Sequence, residues 1–403
     1  MRSFGLTRKA LVALSLFSFL FSYSVAVVGQ ASAVDASQSA NPPSVTPPQS
    51  ATPPAPAATG TEKDTGNAKG AKGKDAPNDG YTDPTSIGDA ETAPKTAPVE
   101  DWNTLAIPSE LLVPAPAPPL KVSTPKYTRE FIQLIWRPRD IINLYVIKPV
   151  GVAKPPVIVY LYSFPTDTSR FKQDEFDQTV TENGFAAVGF VSALTGERFH
   201  DRPMKEWFVS DLQEALGSSV HDVQLILNYL TKRGDLDMTR VGMFGDGSGA
   251  SIAILSAATD PRIQAVDLFD AWGDWPDWLA HSSLIQLEDE RADYLKPEFL
   301  KTVENLDPVK YLPQLTKQKV RLQYLKSDHV TPDAAKTRVL AAAPASATIV
   351  QYESQKDFMA KMITSKRIFD WIQQQVVTPT VAAQETEPKS TTQPLAADKA
   401  SDR

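Results

Sequence analysis

The chain has no cysteine and only four histidines among its 403 residues. Without a thiol there is no disulfide, no cysteine nucleophile, no thiolate metal site and no lipid-modified N-terminal cysteine. No histidine follows His329, so the last fifth of the chain offers no imidazole base. A basic excess is also missing. The formal net charge is −7, which argues against non-specific nucleic-acid binding. Only one long apolar run occurs, near the N-terminus, and no second candidate membrane span follows it.

That run sets the first boundary. Arg2, Arg8 and Lys9 precede apolar residues 10–28, and Ala31-Ser32-Ala33 follows as a small-residue cleavage site. The pattern predicts a secretory signal peptide over 1–33. An uncleaved anchor is the competing reading, because the run approaches spanning length. Residues 34–121 are rich in Pro, Ala, Thr and Ser and poor in large apolar side chains. They cannot bury enough surface to offset their ordering entropy, and are expected to form a disordered tether. Residues 378–403 have the same character and are expected to form a disordered tail. One domain remains, 122–377. Export without disulfides fits a bacterial-type envelope location, periplasmic or extracellular, with no membrane span after signal cleavage.

Within the domain, residues 130–136 and 141–147 flank a short turn and read as paired strands. Residues 156–162 and 185–191 are continuous apolar runs, as expected for strands buried on both faces. Leu212, Leu216, Val220, Val223, Leu227 and Leu230 make one stripe of a helix over 211–232, with Gly234 as its stop. Further strands are expected at 241–244, 263–269, 320–325 and 348–352, and a closing helix at 358–375. Alternating strands and helices predict an α/β fold with a mostly parallel sheet and right-handed crossovers. Ligand sites in such sheets lie at the carboxyl ends of the strands.

At one such end stands Gly245-Asp246-Gly247-Ser248-Gly249, between a strand and a helix. A strand, a sharp glycine turn and a helix form the setting of a nucleophile elbow. Residues 306–312 (Leu-Asp-Pro-Val-Lys-Tyr-Leu) and 326–332 (Lys-Ser-Asp-His-Val-Thr-Pro) flank the penultimate strand. On these three stretches the segment 122–377 resembles the α/β-hydrolase family, in its esterase and prolyl-oligopeptidase-like branch. The resemblance implies a parallel-rich central sheet flanked by helices with a small helical cap. It also implies ester or peptide hydrolysis by a serine, a histidine and an acid, the acid position being Asp328.

Three positions depart from that pattern. Gly247 occupies the nucleophile position of the Gly-x-Ser-x-Gly frame. Asp357 stands nearest the place of the family's late histidine. Tyr162-Ser163 replaces the His-Gly of the oxyanion loop. A one-residue bulge would instead bring Ser248 to the apex, with His200 or His329 as base and Asp328 orienting it. Otherwise Ser248 is a first-turn helix residue. His221 and His281 read as structural.

Asp246, Asp328 and Asp357 are expected to converge, with Arg198, Lys326 and Lys356 available as counter-charges. A metal is the sharper alternative for such a cluster, but neither a metal nor a cofactor is the favoured expectation. Trp272, Trp275 and Trp278 either roof a pocket, with Trp272 and Trp275 lining it, or pack as the core of an insertion around 279–306.

Three functions follow. The first is a hydrolase-fold pseudoenzyme that binds a small molecule or peptide. The second is an active serine hydrolase using Ser248. The third is an envelope structural or interaction protein.

Overall fold

The computed structural model describes residues 100–103, 105, 113, 115–138, 140–162, 169–193 and 208–377. The expected signal peptide, most of the tether, the C-terminal tail, Ser163, Arg198 and His200 lie outside the described residues. Among the described residues, no helix is long and apolar enough to cross a membrane.

Nine strands form one sheet: β1 (Leu120–Ser123), β2 (Tyr127–Arg137), β3 (Asp140–Pro149), β4 (Pro156–Leu161), β5 (Ala186–Phe190), β6 (Asp237–Asp246), β7 (Ile263–Phe269), β8 (Lys319–Leu325) and β9 (Thr348–Tyr352). Their spatial order is β1-β2-β3-β5-β4-β6-β7-β8-β9. The pairs β1–β2, β2–β3 and β3–β5 are antiparallel, and every pair from β5 to β9 is parallel. β4 and β5 are buried along their whole length, which is why their residues are uniformly apolar. β1 was not foreseen in the sequence. Its four residues are all exposed, so no burial pattern marks it.

The helices are α1 (Asp174–Thr181), α2 (Leu212–Arg233), α3 (Ser248–Thr259), α4 (Trp275–His281), α5 (Glu288–Tyr294), α6 (Pro297–Val303), α7 (Pro308–Tyr311), α8 (Asp333–Ala341), α9 (Gln355–Phe358) and α10 (Asp370–Val377). The leucine stripe of α2 is fully buried, and Gly234 ends the helix in the left-handed conformation (φ 73°). α4 to α6 form the expected cap. The single closing helix expected at 358–375 is broken. After α9 comes a π turn, Met359–Ile363, then a left-handed Lys366 (φ 57°), and only then α10. A lysine in that conformation gives no sequence warning, since the left-handed region favours glycine. α10 packs close to β6: a Cβ on Gly242 would lie 2.7 Å from Val376 Cγ2.

The tether does not reach residue 121 unbroken. Leu105 is fully buried in the core, and Trp102 packs on Gly217 so closely that a Cβ there would lie 2.8 Å from the indole. Glu100 accepts hydrogen bonds from Arg137 Nε (2.5 Å) and Nη2 (2.7 Å), and from His221 Nδ1 (2.7 Å). Two apolar residues and one acid therefore dock this stretch on α2 and β2. Average composition over the stretch hides all three.

Two positions in β4 and β6 fix where the site must be. Leu161 pairs with Gly245, and Asp246 pairs with Phe269. β4 lies between β5 and β6, so the chain leaves it in one direction and returns on the other side. That is the topological switch point, where a parallel sheet opens a crevice at its strand ends. Asp246 ends β6, and Tyr162, Gly247 and Asp270 follow β4, β6 and β7 at that edge.

Candidate functional site

The elbow is built by its two outer glycines. A Cβ on Gly245 would lie 2.5 Å from Ala250 Cα, and one on Gly249 would lie 2.4 Å from the Leu161 carbonyl oxygen. Only hydrogen fits at either place, so α3 can fold directly back on the strands. Between them Gly247 adopts φ 55°, ψ −116°, a conformation that strains any residue with a side chain. Its N–H still donates to Phe269 O (2.9 Å), and its carbonyl accepts from Ala250 N (3.1 Å) and Ser251 N (3.2 Å). Strand pairing with β7 therefore runs regularly from Gly242 to the elbow, and the helix starts at once. The bulge that would lift Ser248 to the apex is not formed. Ser248 is the first residue of α3 and is 1% exposed. The apex of the turn belongs to Gly247.

Beside the apex lies a charged cluster. Asp246 is half-buried. Burial, opposed by Arg170 and reinforced by the Asp328 carboxylate, pushes its pKa up to about 7. Asp270 is buried and held at φ 44°, and its carboxylate accepts from Leu325 N (2.9 Å). Burial raises its pKa well above the usual carboxylate range, with Asp328 and Asp246 adding to the rise. Asp328 accepts from Val330 N (3.1 Å) and Thr331 N (3.0 Å), which closes the loop after β8. Arg170 and Lys336 supply positive charge. Lys336 is buried, with Nζ on the carbonyl oxygens of Leu325 (3.2 Å) and Asp328 (3.3 Å). The Arg170 guanidinium lies over the Tyr162 ring, 3.3 Å from its centroid. Burial raises the Tyr162 pKa despite that cation. Among the described residues, no group of three His, Asp or Glu side chains is arranged to hold a metal ion.

The convergence of three carboxylates expected from sequence therefore occurs with one exchange. Asp246 and Asp328 couple electrostatically to Asp270, whereas Asp357 does not join them. Asp357 accepts from its own loop at Glu353 N (3.2 Å) and pairs with Lys361 (2.9 Å). Lys326 is likewise turned outward to Glu353 (2.7 Å). Arg170, Asp270 and Lys336 were missed because they are distant in sequence and carry no motif. Asp270 had one usable signal, its place immediately after a strand, one step beyond the strand end that Asp246 holds.

The tryptophans take the core alternative. Trp272, Trp275 and Trp278 are each 2% exposed or less, with Trp272 and Trp278 ring centroids 4.7 Å apart and Trp275 edge-on to Trp278 at 5.8 Å. Trp272 and Trp275 are thus not pocket-lining residues; their rings are consumed in packing the cap on the sheet. Asp307, from the stretch before β8, fastens this unit by accepting from Asp274 N (2.9 Å), Trp275 N (3.0 Å) and Val309 N (3.0 Å). Of the histidines described, His221 is fully buried against Glu100, His281 pairs with Asp277 (3.0 Å) at the surface, and His329 is exposed.

The raised Asp246 pKa has a consequence for stability. The folded state binds a proton that the unfolded chain releases between about pH 4 and pH 7. Stability contributed by this group is therefore present at low pH and lost as pH rises through about 7. Asp246→Asn is expected to gain about 2 kcal/mol on the wild type between pH 5 and pH 8 in urea titrations. Parallel pH profiles for the two proteins would show that Asp246 titrates normally.

No protein-family model matches this chain, and no curated protein matches it by sequence. Solved structures do. Acetyl xylan esterase 1 from Thermoanaerobacterium sp. is similar with a TM-score of 0.50 at 15% identity, over 68% of this chain and 96% of that one. An acetyl xylan esterase from Paenibacillus sp. R4 has a TM-score of 0.49 at 12% identity, over 68% and 97%. The acylaminoacyl peptidase of Pyrococcus horikoshii has a TM-score of 0.44 at 13% identity, over 66% of this chain and 41% of that one. At these identities the likeness is one of fold. With its strand order, its parallel core and its glycine elbow between β6 and α3, this chain has the α/β-hydrolase fold.

Proposed function

We propose that this is an exported protein that uses the elbow of an α/β-hydrolase fold to bind a small molecule or peptide, without serine-triad hydrolysis. The observation that carries the reading is Gly247 at φ 55°, ψ −116°. The strained apex is where the attacking hydroxyl belongs, and here it has no side chain. Ser248 starts the helix and is buried, so attack by its hydroxyl would require the first turn of α3 to unwind. One further feature supports the reading. Asp357, nearest the base position, is tied to Lys361, and an ordinary aspartate, with pKa ~3.9, is a poor base at neutral pH. Loss of triad chemistry leaves only ~10³–10⁴-fold enhancement over water from binding and oxyanion stabilisation. Envelope location rests on the N-terminal sequence pattern alone.

The test is covalent. A fluorophosphonate probe is expected to leave the folded protein unlabelled, and p-nitrophenyl acetate turnover is expected to be unchanged by Ser248→Ala. Stoichiometric labelling at Ser248, or ester turnover lost in that variant, would replace this reading by an active serine hydrolase.

A further inference from the structure

Glu100, Trp102 and Leu105 fasten residues 100–105 to the outside of the domain. Glu100 accepts from Arg137 Nε (2.5 Å) and Nη2 (2.7 Å) and from His221 Nδ1 (2.7 Å). Trp102 fills the space that the missing side chain of Gly217 leaves on α2, and Leu105 is fully buried. Beside them Gln213 Nε2 donates to Asn103 Oδ1 (3.0 Å) and Gln224 Nε2 donates to Leu105 O (3.3 Å). The fit has defects. Leu105 is held at φ 54°, where a leucine is strained. Strain of this kind collects in clamps and switch segments. Trp102 Nε1 and His221 Nε2 are buried without a hydrogen-bond partner, one on each side of the contact. An unpaired buried polar atom weakens the contact that buries it.

The domain side of the contact is complete without Glu100. Arg137 Nη1 donates to Asp222 (2.7 Å) and Asp140 (3.2 Å), and its Nη2 reaches Ser218 O (3.3 Å). Trp136 Nε1 also donates to Asp222 (2.9 Å). These bonds join β2, β3 and α2 with no part from residues 100–105. Glu100 is faced by Arg137 from β2, with Asp140 of β3 behind it, and by His221 of α2, with Asp222 on the same helix; Asp101 is its chain neighbour. A carboxylate accepts on both oxygens, and a proton on it removes the charge that makes these bonds strong. Arg137 then still holds Asp222 and Asp140, whereas Glu100 has lost its ionic ties.

We propose that residues 100–105 are an acid-released strap: protonation of Glu100 frees them from α2 and β2 while the sheet and its helices stay folded. Burial works to raise the Glu100 pKa, but hydrogen bonds from Arg137 and His221 bring it below its ordinary 4.5. The stability it contributes is present at neutral pH and is lost as pH falls through the folded value. Release is a local opening, because it uncovers the side chains of Trp102 and Leu105 rather than a layer of the core. The face of α2 that carries Gly217 and His221 then meets water. Gln224 feels the change, since the amide that donates to Leu105 O also donates to Thr259 Oγ1 (3.2 Å) at the end of α3. Strap release does not depend on what the elbow does.

Hydrogen exchange read by mass spectrometry on the full-length protein tests this, over a pH series from 7 to 3 with each rate corrected for the intrinsic pH dependence of exchange. Leu105 N–H, which donates to Asp101 O (3.2 Å), reports the strap, and the amides of α2 report the domain. The strap is expected to be protected at pH 7. Below pH 4.5 its protection should fall by about tenfold or more while α2 keeps its own. Glu100→Gln removes the charge and keeps the shape. It should lower strap protection by about tenfold at pH 7, the loss expected for one charge-assisted contact, and make it insensitive to pH.

Strap and α2 amides that lose protection at the same pH would overturn the proposal, because residues 100–105 would then belong to the cooperative core. Strap amides that stay protected down to pH 3, or that are already unprotected at pH 7, would overturn it as well. So would a folded Glu100→Gln protein whose strap is protected as in the wild type. A Glu100→Gln protein that does not fold by circular dichroism would show that the whole domain needs Glu100, and would count against a separable strap; the wild-type pH series then gives the independent answer.

Discussion

Gly249→Ala is expected to destabilise the domain by about 3 kcal/mol, because overpacking against main chain sits at the upper end of the usual range. The added Cβ would stand 2.4 Å from the Leu161 oxygen, 2.6 Å from its carbonyl carbon and 3.0 Å from its Cβ. Two of these atoms are backbone of a fully buried strand, so no rotamer change can relieve the contact. Either α3 tilts away from β4 or the end of β4 moves. Alanine inside a helix ordinarily gains up to about 1 kcal/mol over glycine, and that gain is already set against the clash here. For a domain of roughly 250 residues, 3 kcal/mol corresponds to a fall in Tm of about 6–12 °C.

Gly247→Ala separates space from strain. There the cost comes from φ 55°, ψ −116°, at about 1–3 kcal/mol. The two variants should also differ at the site. Displacing α3 moves Ser248 and the helix terminus relative to β4, whereas the strain of Gly247→Ala is confined to the turn. A Gly249→Ala protein that melts with the wild type would mean that α3 does not sit against Leu161 as described.

The same elbow shows what a sequence can and cannot disclose about this chain. Gly245, Gly247 and Gly249 were legible because their spacing is local, although what keeps Gly249 bare is Leu161 of the distant β4. The parallel strands were legible for a similar reason. A strand covered on both faces, such as β4, must be apolar at every position. The exposed β1 obeys no such rule and passed unseen.

The charged cluster lies at the other extreme. Arg170 sits ahead of α1, Asp270 after β7 and Lys336 within α8. Arg170 acts on Asp246, and Asp246 and Lys336 act on Asp270, only because the strand order brings these segments to one edge. Asp357 failed in the opposite way. It stands at the expected chain position, but Lys361 lies one helical turn away and holds it. The tryptophans were ambiguous in principle, since spacing by three serves both a lining and a core. Burial against the cap decided between them.

Residues 100–105 carry the second large prediction. Arg137 joins Glu100 to Asp222 (Nη1 to Oδ1, 2.7 Å) and Asp140 (3.2 Å), while Trp136 Nε1 also donates to Asp222 (2.9 Å). Asp222 is fully buried. Arg137→Met removes the cation and leaves these acids together on the face of α2. Breaking one side of a buried pair typically costs 3–5 kcal/mol, so a loss of about 4 kcal/mol at pH 7 is expected.

The pH dependence should change sign as well. In the wild type, burial works to raise the Glu100 pKa, but hydrogen bonds from Arg137 and His221 bring it below its ordinary value. Its contribution is therefore present at neutral pH and lost as pH falls through the folded value. Without Arg137, burial and the remaining carboxylates would hold Glu100 and Asp222 above their unfolded values. The variant would then regain stability on going from pH 7 to pH 5, where the wild type has none to regain from this network. Urea midpoints at the two pH values measure this directly. Adding Asp222→Asn to Arg137→Met should recover part of the loss, because one buried charge is removed along with its partner. A variant that loses less than about 1 kcal/mol, the range of an exposed ion pair, would mean that residues 100–105 do not seal this network from water.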